Sequence, residues 1–496
     1  MGHTDTLEYP ISEHTLQLLF GASNSTDLEK SLEILIEISK SASGRSELAS
    51  KGLLPAVLEI IHSVHCTSRH HFLSLSLKFL RNLCAGEIAN QNSFVELKGA
   101  GIVSNVLTSV AGLLGPDQGL VRVGLQVLAN VSLAGKEHQH AVWEELYPNG
   151  FVSLARLRSK GTCDPLCMII YTCCDGNPEL VRKLYSDRGW PIMVEIVRTA
   201  SCAVGFGEDW LKLLLSRVCW EESQLPLLFA KLWSGAASEG EVSKSRDDQL
   251  TSEQAFLLGI LAEVLNEKIS DITVIKDVTM FVYEIFKQSI GVLEHTPKAK
   301  SGIPTDCASI DVLGYSMSIL RDICAQDDVA AGSKGDAEDS VNELLSHGLI
   351  DLLLSLLHDV EPPAIIRKVV TQSDNRDEAE PSRLWKPCLY KGFRRDIVAL
   401  VGNCVYRRKH AQDEVRKKNG IMLLLQQCVT DDDNPFLREW GIWSVRNMLE
   451  GNEENQRVVA ELEVQGSVDL PQISALGLRV EVDQKTRRAK LVNNAP

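Results

Sequence analysis

The chain has 496 residues, a formal net charge of −15, and 44% hydrophobic, 24% charged and 6% aromatic residues. It is too long for one compact core, since single cores stop growing at about 250–300 residues, and its apolar content excludes disorder throughout. The acidic balance makes nucleic acid or an anionic membrane a poor partner, and thirteen cysteines, odd in number and scattered, exclude a disulfide scaffold.

The N-terminus, MGHTDTLEYP, lacks the basic stretch and apolar core of a signal peptide. Gly2 and Thr6 fit the short myristoylation pattern M-G-x-x-x-T, but no basic cluster follows to act as a second anchor. From there the chain repeats itself. LKFLRNLCAGEIANQNSFVELKGAGIVSNVLTSV from Leu77, LQVLANVSLAGKEHQHAVWEELYPNGFVSLARL from Leu125 and IVALVGNCVYRRKHAQDEVRKKNGIMLLLQQCV from Ile397 share one layout. Each has an apolar helix ending in x-Asn-apolar (Asn82, Asn130, Asn403), a polar turn, a second helix, a glycine (Gly101, Gly150, Gly420) and another apolar helix. Weaker copies turn at Gly52, Gly189 and Gly348, and the last carries Asn447 and runs to Gly466.

Apolar residues at i, i+3, i+4 and i+7 give each helix one buried stripe. A lone helical hairpin cannot hide two such stripes, whereas stacking on neighbours does. The glycines are expected to relax φ at a sharp bend and admit close backbones. Repeats of roughly 40 residues, about eight to ten of them, are those of armadillo and HEAT units. The expected fold is therefore all-α, an armadillo/HEAT-like α-solenoid wound as a right-handed superhelix.

Breaks in the pattern divide the chain into N-terminal repeats (1–235), a small, polar loop (236–250), middle helical repeats (251–360), a Pro- and charge-rich insertion (361–388), a C-terminal armadillo-like domain (389–466) and a tail (467–496). Loops are expected at Gly235–Asp248, His295–Asp306, Gln326–Asp339 and Glu361–Pro387. The longest uncharged run, Gly99 to Pro116, falls short of the about 20 apolar residues of a membrane span and reads as a buried helix. In the tail, LRVEVDQKTRRAKLV alternates at period two, as a short hairpin, an extended arm or a frayed terminus would.

From Tyr390 the pieces FRRDIVALVGN, Gln412-Asp413 with Gly420-Ile421, and DDDNPFLREWGIWSVRN resemble the C-terminal domain of the ataxin-10 family. The match is strongest over 390–466, and LGLRVEVDQKTRRAKLVNN is also similar. The resemblance implies a non-catalytic armadillo-like scaffold, links to cytokinesis, cell division and cell survival, and contacts with signalling or glycosylating enzymes.

In DDDNPFLREWGIWSVRN, Asn434 is a good N-cap, Pro435 suits the first helical position, and Asp431, Asp432 and Asp433 suit the positive end of the helix dipole. Phe436, Trp440, Trp443 and Asn447 fall on one helix face. They form either a well-capped core helix or a ligand groove, because in armadillo proteins that bind extended peptides a Trp recurs four residues before an Asn. Trp443 and Asn447 have that spacing, but the other asparagines are preceded by Lys78, Gln126 and Ala399, which argues against importin-like capture of basic peptides. The asparagines, Asn403 among them, either tie down neighbouring structure or touch a partner. A basic cluster that includes Arg394, Arg395, Arg407 and Arg408 is either a solvated face or a site for an acidic segment. It lacks the interleaved aromatic residues of a nucleic-acid platform.

His62, His65, Cys66, His70 and His71 lie close in sequence, as do Cys163, Cys167, Cys173 and Cys174. No C-x-x-C occurs, and the second group reads as small hydrophobes on an apolar helix. GFGEDW at Gly205 lacks a third dinucleotide-loop glycine, and neither G-x-x-x-x-G-K, H-E-x-x-H nor G-x-S-x-G occurs. No catalytic residue, cofactor or metal is therefore expected. The expected function is a protein–protein interaction scaffold in the cytoplasm, or also the nucleus or perinuclear region, with other proteins as partners, no nucleic acid, no membrane span, and self-association open. The alternatives are a nuclear-transport or nucleic-acid adaptor and, behind it, a helical-repeat enzyme or small-molecule carrier.

Overall fold

A computed structural model describes residues 25–63, 70–205, 207–234, 250–292, 299, 301–326, 340–367, 385–462, 478–482 and 489–493. The chain forms two compact units, Met1–Val278 and Thr279–Pro496, so the division falls inside the segment 251–360. Gly2, Thr6, His65, Cys66, Phe206, Gly466 and the Gly235–Asp248 loop lie outside the described residues, as do most of Gln326–Asp339 and parts of the other two expected loops.

In the first unit the helices are α1 (Ser25–Ile38), α2 (Ala42–Ser50), α3 (Leu54–Ser63), α4 (His70–Leu83), α5 (Ile88–Glu96), α6 (Gly99–Ala111), α7 (Gln118–Ser132), α8 (Lys136–Leu146), α9 (Asn149–Ala155), α10 (Lys160–Cys174), α11 (Pro178–Leu184), α12 (Trp190–Thr199), α13 (Asp209–Ser216), α14 (Leu225–Ser234) and α15 (Ser252–Glu267). One row, α1, α4, α7, α10 and α13, packs side by side in succession. A second row, α3, α6, α9, α12 and α14, does the same, and short helices link the rows. This is the stack expected from the repeats. α4 buries Phe72, Leu73, Ser76, Leu77, Leu80 and Leu83 at helical spacing. α7, held between α4 and α10, is buried nearly all round, from Leu120 and Val121 to Leu128 and Val131. A fully buried Leu or Val contributes about 1.5–3 kcal/mol, so the two rows carry most of the stability.

The division falls in the first turn of α16 (Lys276–Val292), and the second unit goes on with α17 (Ala308–Ala325), α18 (Ser340–Ser346), α19 (Leu349–Asp359), α20 (Phe393–Val405), α21 (Lys409–Lys417), α22 (Gly420–Leu425), α23 (Leu437–Leu449) and α24 (Glu453–Ala460). Here α17, α20 and α23 form one row, with α19 against α22 in the other. Strands β1 (Leu478–Val482) and β2 (Ala489–Asn493) pair antiparallel, Leu478 opposite Asn493, which is the hairpin suggested by the period-two pattern.

Polar caps start several helices. The Asp117 carboxylate accepts from Leu120 N at 3.0 Å, Thr251 and Gln254 form a capping box, and Asn452 accepts from Asn455 N at 3.1 Å. The glycines act partly otherwise than expected. At two bends the left-handed residue is not the glycine but Lys98 (φ 54°) or Asn419 (φ 57°). Gly420 instead serves close approach, since a Cβ there would lie 2.9 Å from both Leu354 Cδ1 and Val415 Cγ1. Two π-helical turns, Ala200–Val204 and Arg217–Glu221, end α12 and α13. Among the described residues no single helix is long and apolar enough to cross a membrane, although α18 and α19, bent by 61°, reach the length and composition together.

Candidate docking groove

The asparagines are the joints between repeats. Asn130 Nδ2 donates to Arg81 O at 3.0 Å, Asn403 Nδ2 to Arg321 O at 2.9 Å, and Asn447 Nδ2 to Gly402 O at 3.0 Å. Each acceptor lies towards the C-terminal end of the preceding helix in the row. Asn82 does the same for α1 through Ser39 Oγ at 3.0 Å and Ile36 O at 3.4 Å. A glutamine nine residues further on adds a second tie. Gln91 Nε2 donates to Cys84 O and Asn130 O, both at 2.9 Å. Gln412 Nε2 reaches Asn447 O at 2.8 Å, Glu450 O at 3.1 Å and Val405 O at 3.3 Å. The asparagines therefore have a structural role, and for Asn130, Asn403 and Asn447 it uses one N–H and leaves the Oδ1 uncommitted among the described residues.

Asn434 does not cap its own helix. Phe436, at φ 66°, occupies the N-cap of α23. Asn434 Oδ1 instead accepts from Arg394 N at 3.0 Å and Arg395 N at 3.4 Å, capping α20, while its Nδ2 donates to Asp431 at 2.9 Å. This cross-helix cap seats the start of α23 against α20. Gly402 permits the approach further along, where a Cβ would come within 2.5 Å of Ser444 Oγ.

The result is a groove of ≈ 560 Å³ between the ends of α17, α20 and α23. Phe436, Trp440 and Trp443 form its aromatic wall, with Phe436 69% and Trp443 53% exposed. Asn403 and Asn447 lie along it, Tyr406 and Arg407 close one side, and Glu439, Arg446 and Glu450 supply charge. The Arg446 guanidinium stacks 4.9 Å above Trp443, and that of Arg407 4.9 Å above Tyr406, which braces both rings. The expected face of Phe436, Trp440, Trp443 and Asn447 is thus assembled, together with Asn403 and Arg407.

The basic cluster does not form one patch. Arg394 cannot meet a partner: it is 1% exposed and its guanidinium donates to Val360 O (2.6 Å), Gln427 Oε1 (3.0 Å), Glu361 O (3.1 Å) and Leu357 O (3.2 Å). Its charge reads as surface in sequence, but four acceptors in the α19–α20 corner satisfy it inside, and burial lowers its pKa. Arg395 is turned to Asp396, with Nη2 at 2.6 Å and Nε at 2.7 Å, and Arg408 donates to Asn403 O at 3.1 Å. Burial raises the Asp396 pKa although Arg395 pulls the other way, and Tyr390 Oη donates to it at 2.9 Å.

The cysteines of α10 are core residues, and burial pushes the Cys173 thiol up to about 12. Among the described residues no three of His, Cys, Asp and Glu converge as metal ligands.

Comparison with known proteins finds matches to the C-terminal part and to most of the chain. The domain described as the spinocerebellar ataxia type 10 protein domain matches residues 393–492, which carry α20 to α24 and the hairpin. Ataxin-10 of Xenopus tropicalis is 23% identical over 474 residues, 91% of this chain and 90% of its own length. The chain is similar to ataxin-10 along most of its length, and its C-terminal part matches the family's domain. The ataxin-10 homolog of Dictyostelium discoideum is 36% identical over 94 residues, 19% of this chain and 15% of its own. A designed armadillo repeat protein in complex with a (KR)4 peptide aligns at a TM-score of 0.35 and 16% identity, over 50% of this chain and 99% of that one. The residues that sequence reasoning missed are the glutamine ties, Gln91 in the first unit and Gln412 in the second. Their signal was an Asn followed nine residues later by Gln, Asn82/Gln91 and Asn403/Gln412; Asn130/Gln139 and Asn447/Gln456 share the spacing, but Gln456 bonds only within its own repeat and Gln139 Oε1 has no partner among the described residues.

Proposed function

We propose that this ataxin-10-like chain is a non-enzymatic docking platform whose C-terminal groove receives an extended segment of a partner protein, and that it serves cytokinesis, cell division or cell survival in the cytoplasm. The observation that carries this is the aromatic wall of Phe436, half-buried Trp440 and Trp443, with Phe436 and Trp443 open to solvent, on a helix otherwise fixed by buried hydrogen bonds. Large aromatic side chains on a rigid support are the usual anchors of protein interfaces. The uncommitted Asn403 and Asn447 oxygens give a partner's backbone N–H groups acceptors beside those rings.

The test is to pan a random-peptide library on the full-length chain and measure the selected peptides by fluorescence anisotropy. Trp443→Ala is expected to weaken them by about tenfold or more, as loss of an interface anchor does. Ile442→Ala, which removes an exposed side chain outside the groove, is the control expected to change nothing. Selected peptides that bind Trp443→Ala and Trp440→Ala as well as they bind wild type would refute the reading.

A further inference from the structure

A second groove lies wholly within the first unit, where α4, α7, α10 and the start of α13 meet, with a volume of ≈ 730 Å³. Its bases and acids are differently engaged. Lys160 and Glu208 face each other at 3.6 Å, and the Asp164 carboxylate accepts from Trp210 N at 3.0 Å. Arg81 is held by neutral acceptors: Nε and Nη2 donate to Asn82 Oδ1 at 3.2 and 2.9 Å, and Nη1 to Gln126 Oε1 at 3.1 Å. Arg122 lies along the backbone of Gly161, with its Cδ 3.5 Å from where a Cβ would stand. Among the described residues neither Arg81 nor Arg122 forms an ion pair.

Two guanidiniums thus share one groove without a carboxylate bound to either, on a chain of net charge −15. Their mutual repulsion is felt: the Arg81 pKa is lowered, first by burial and then by Arg122. Beside them, Gln126 Nε2 and one N–H of Asn130 remain uncommitted donors among the described residues. We infer that this groove binds an extended acidic segment of a partner protein, its carboxylate taken by Arg81 and Arg122 and its backbone carbonyls by Gln126 and Asn130. Arginine suits this because its planar fork meets a carboxylate through two parallel hydrogen bonds. A fixed Arg81 also loses little freedom on binding.

The inference is independent of the C-terminal groove. It is tested on the full-length chain with three fluorescein-labelled Gly/Ser peptides that differ only in carrying glutamate, glutamine or lysine, followed by anisotropy. The glutamate peptide is expected to bind about tenfold or more tighter than the glutamine one, with affinity falling as salt rises. Arg122→Gln, at an exposed position that leaves the core untouched, is expected to remove about tenfold of that affinity, while Trp443→Ala leaves it unchanged. No binding of the glutamate peptide up to millimolar concentration would overturn the proposal, as would equal binding of the glutamine peptide or full affinity in Arg122→Gln. A single-stranded RNA oligonucleotide that binds more tightly than the glutamate peptide and is lost in Arg122→Gln would also overturn it, in favour of a phosphate-backbone site.

Discussion

Replacing Gln412 by Ala tests the view that repeat stacking in the C-terminal unit depends on a single buried amide. Gln412 is 1% exposed. Its Nε2 serves Val405 O, Asn447 O and Glu450 O, and its Oε1 accepts from Asn452 Nδ2 at 3.2 Å. Alanine strands the buried Asn447 O, the part-buried Glu450 O and one Asn452 N–H, while Val405 O keeps its bond from Arg408 N; each unsatisfied group costs about 1–3 kcal/mol, partly relieved by water. The expected loss is about 2–4 kcal/mol, or roughly 5–15 °C in melting temperature for a unit of this size. Hydrogen exchange followed by mass spectrometry on peptides from 393–462 localises the loss to α20–α24, which a global melt of a two-unit chain would blur. Gln456, at the same repeat position, makes one exposed bond to Leu449 O at 2.7 Å, so Gln456→Ala should cost under about 1 kcal/mol. An exchange profile in Gln412→Ala within about 0.5 kcal/mol of wild type, or an equal cost at Gln456, would refute the reasoning.

Three further outcomes are expected. Arg394→Met should destabilise by about 3 kcal/mol or more, because four buried acceptors lose their donor, whereas exposed Arg407→Ala should stay within about 0.5 kcal/mol; thermal melts of both variants check this. Thiol labelling of the native chain should modify exposed Cys202 quickly, while Cys84 and Cys173, whose burial pushes each thiol up to about 12, react only after unfolding. Asp413 is held below the usual carboxylate range by the Asn452 amide first and then by Arg416, so it stabilises the fold above about pH 4, and this contribution is lost as pH falls through its lowered folded value. The difference in urea midpoint between wild type and Asp413→Asn should accordingly be present at pH 7 and shrink towards zero near pH 2; a constant difference would contradict the assignment.

The repeat architecture was legible because helical spacing and recurring asparagines are local signals that stacking satisfies. The face of Phe436, Trp440, Trp443 and Asn447 was legible for the same reason, since positions three and four apart meet on one side of a helix. What sequence could not assign was the partner of each polar group. Asn434 has the right type and place for an N-cap, yet it caps a helix 40 positions away in sequence. Arg394 and Arg395 are adjacent and chemically identical, yet one lies in the core and the other at its edge, because helix rotation sends only Arg394 into the corner of α19 and α20. The groove in the first unit was missed for a related reason. Arg81 and Arg122 stand far apart in sequence and are brought together only because α4 packs on α7.

The joint formed by Asn403 spans 82 residues of chain, against 49 for Asn130 and 45 for Asn447, yet its bond to Arg321 O is as short as theirs. Added length between two neighbouring rungs therefore leaves the spacing of the rungs unchanged. Val360 and Lys386 likewise meet in an isolated bridge, so the length of chain between them does not set their separation.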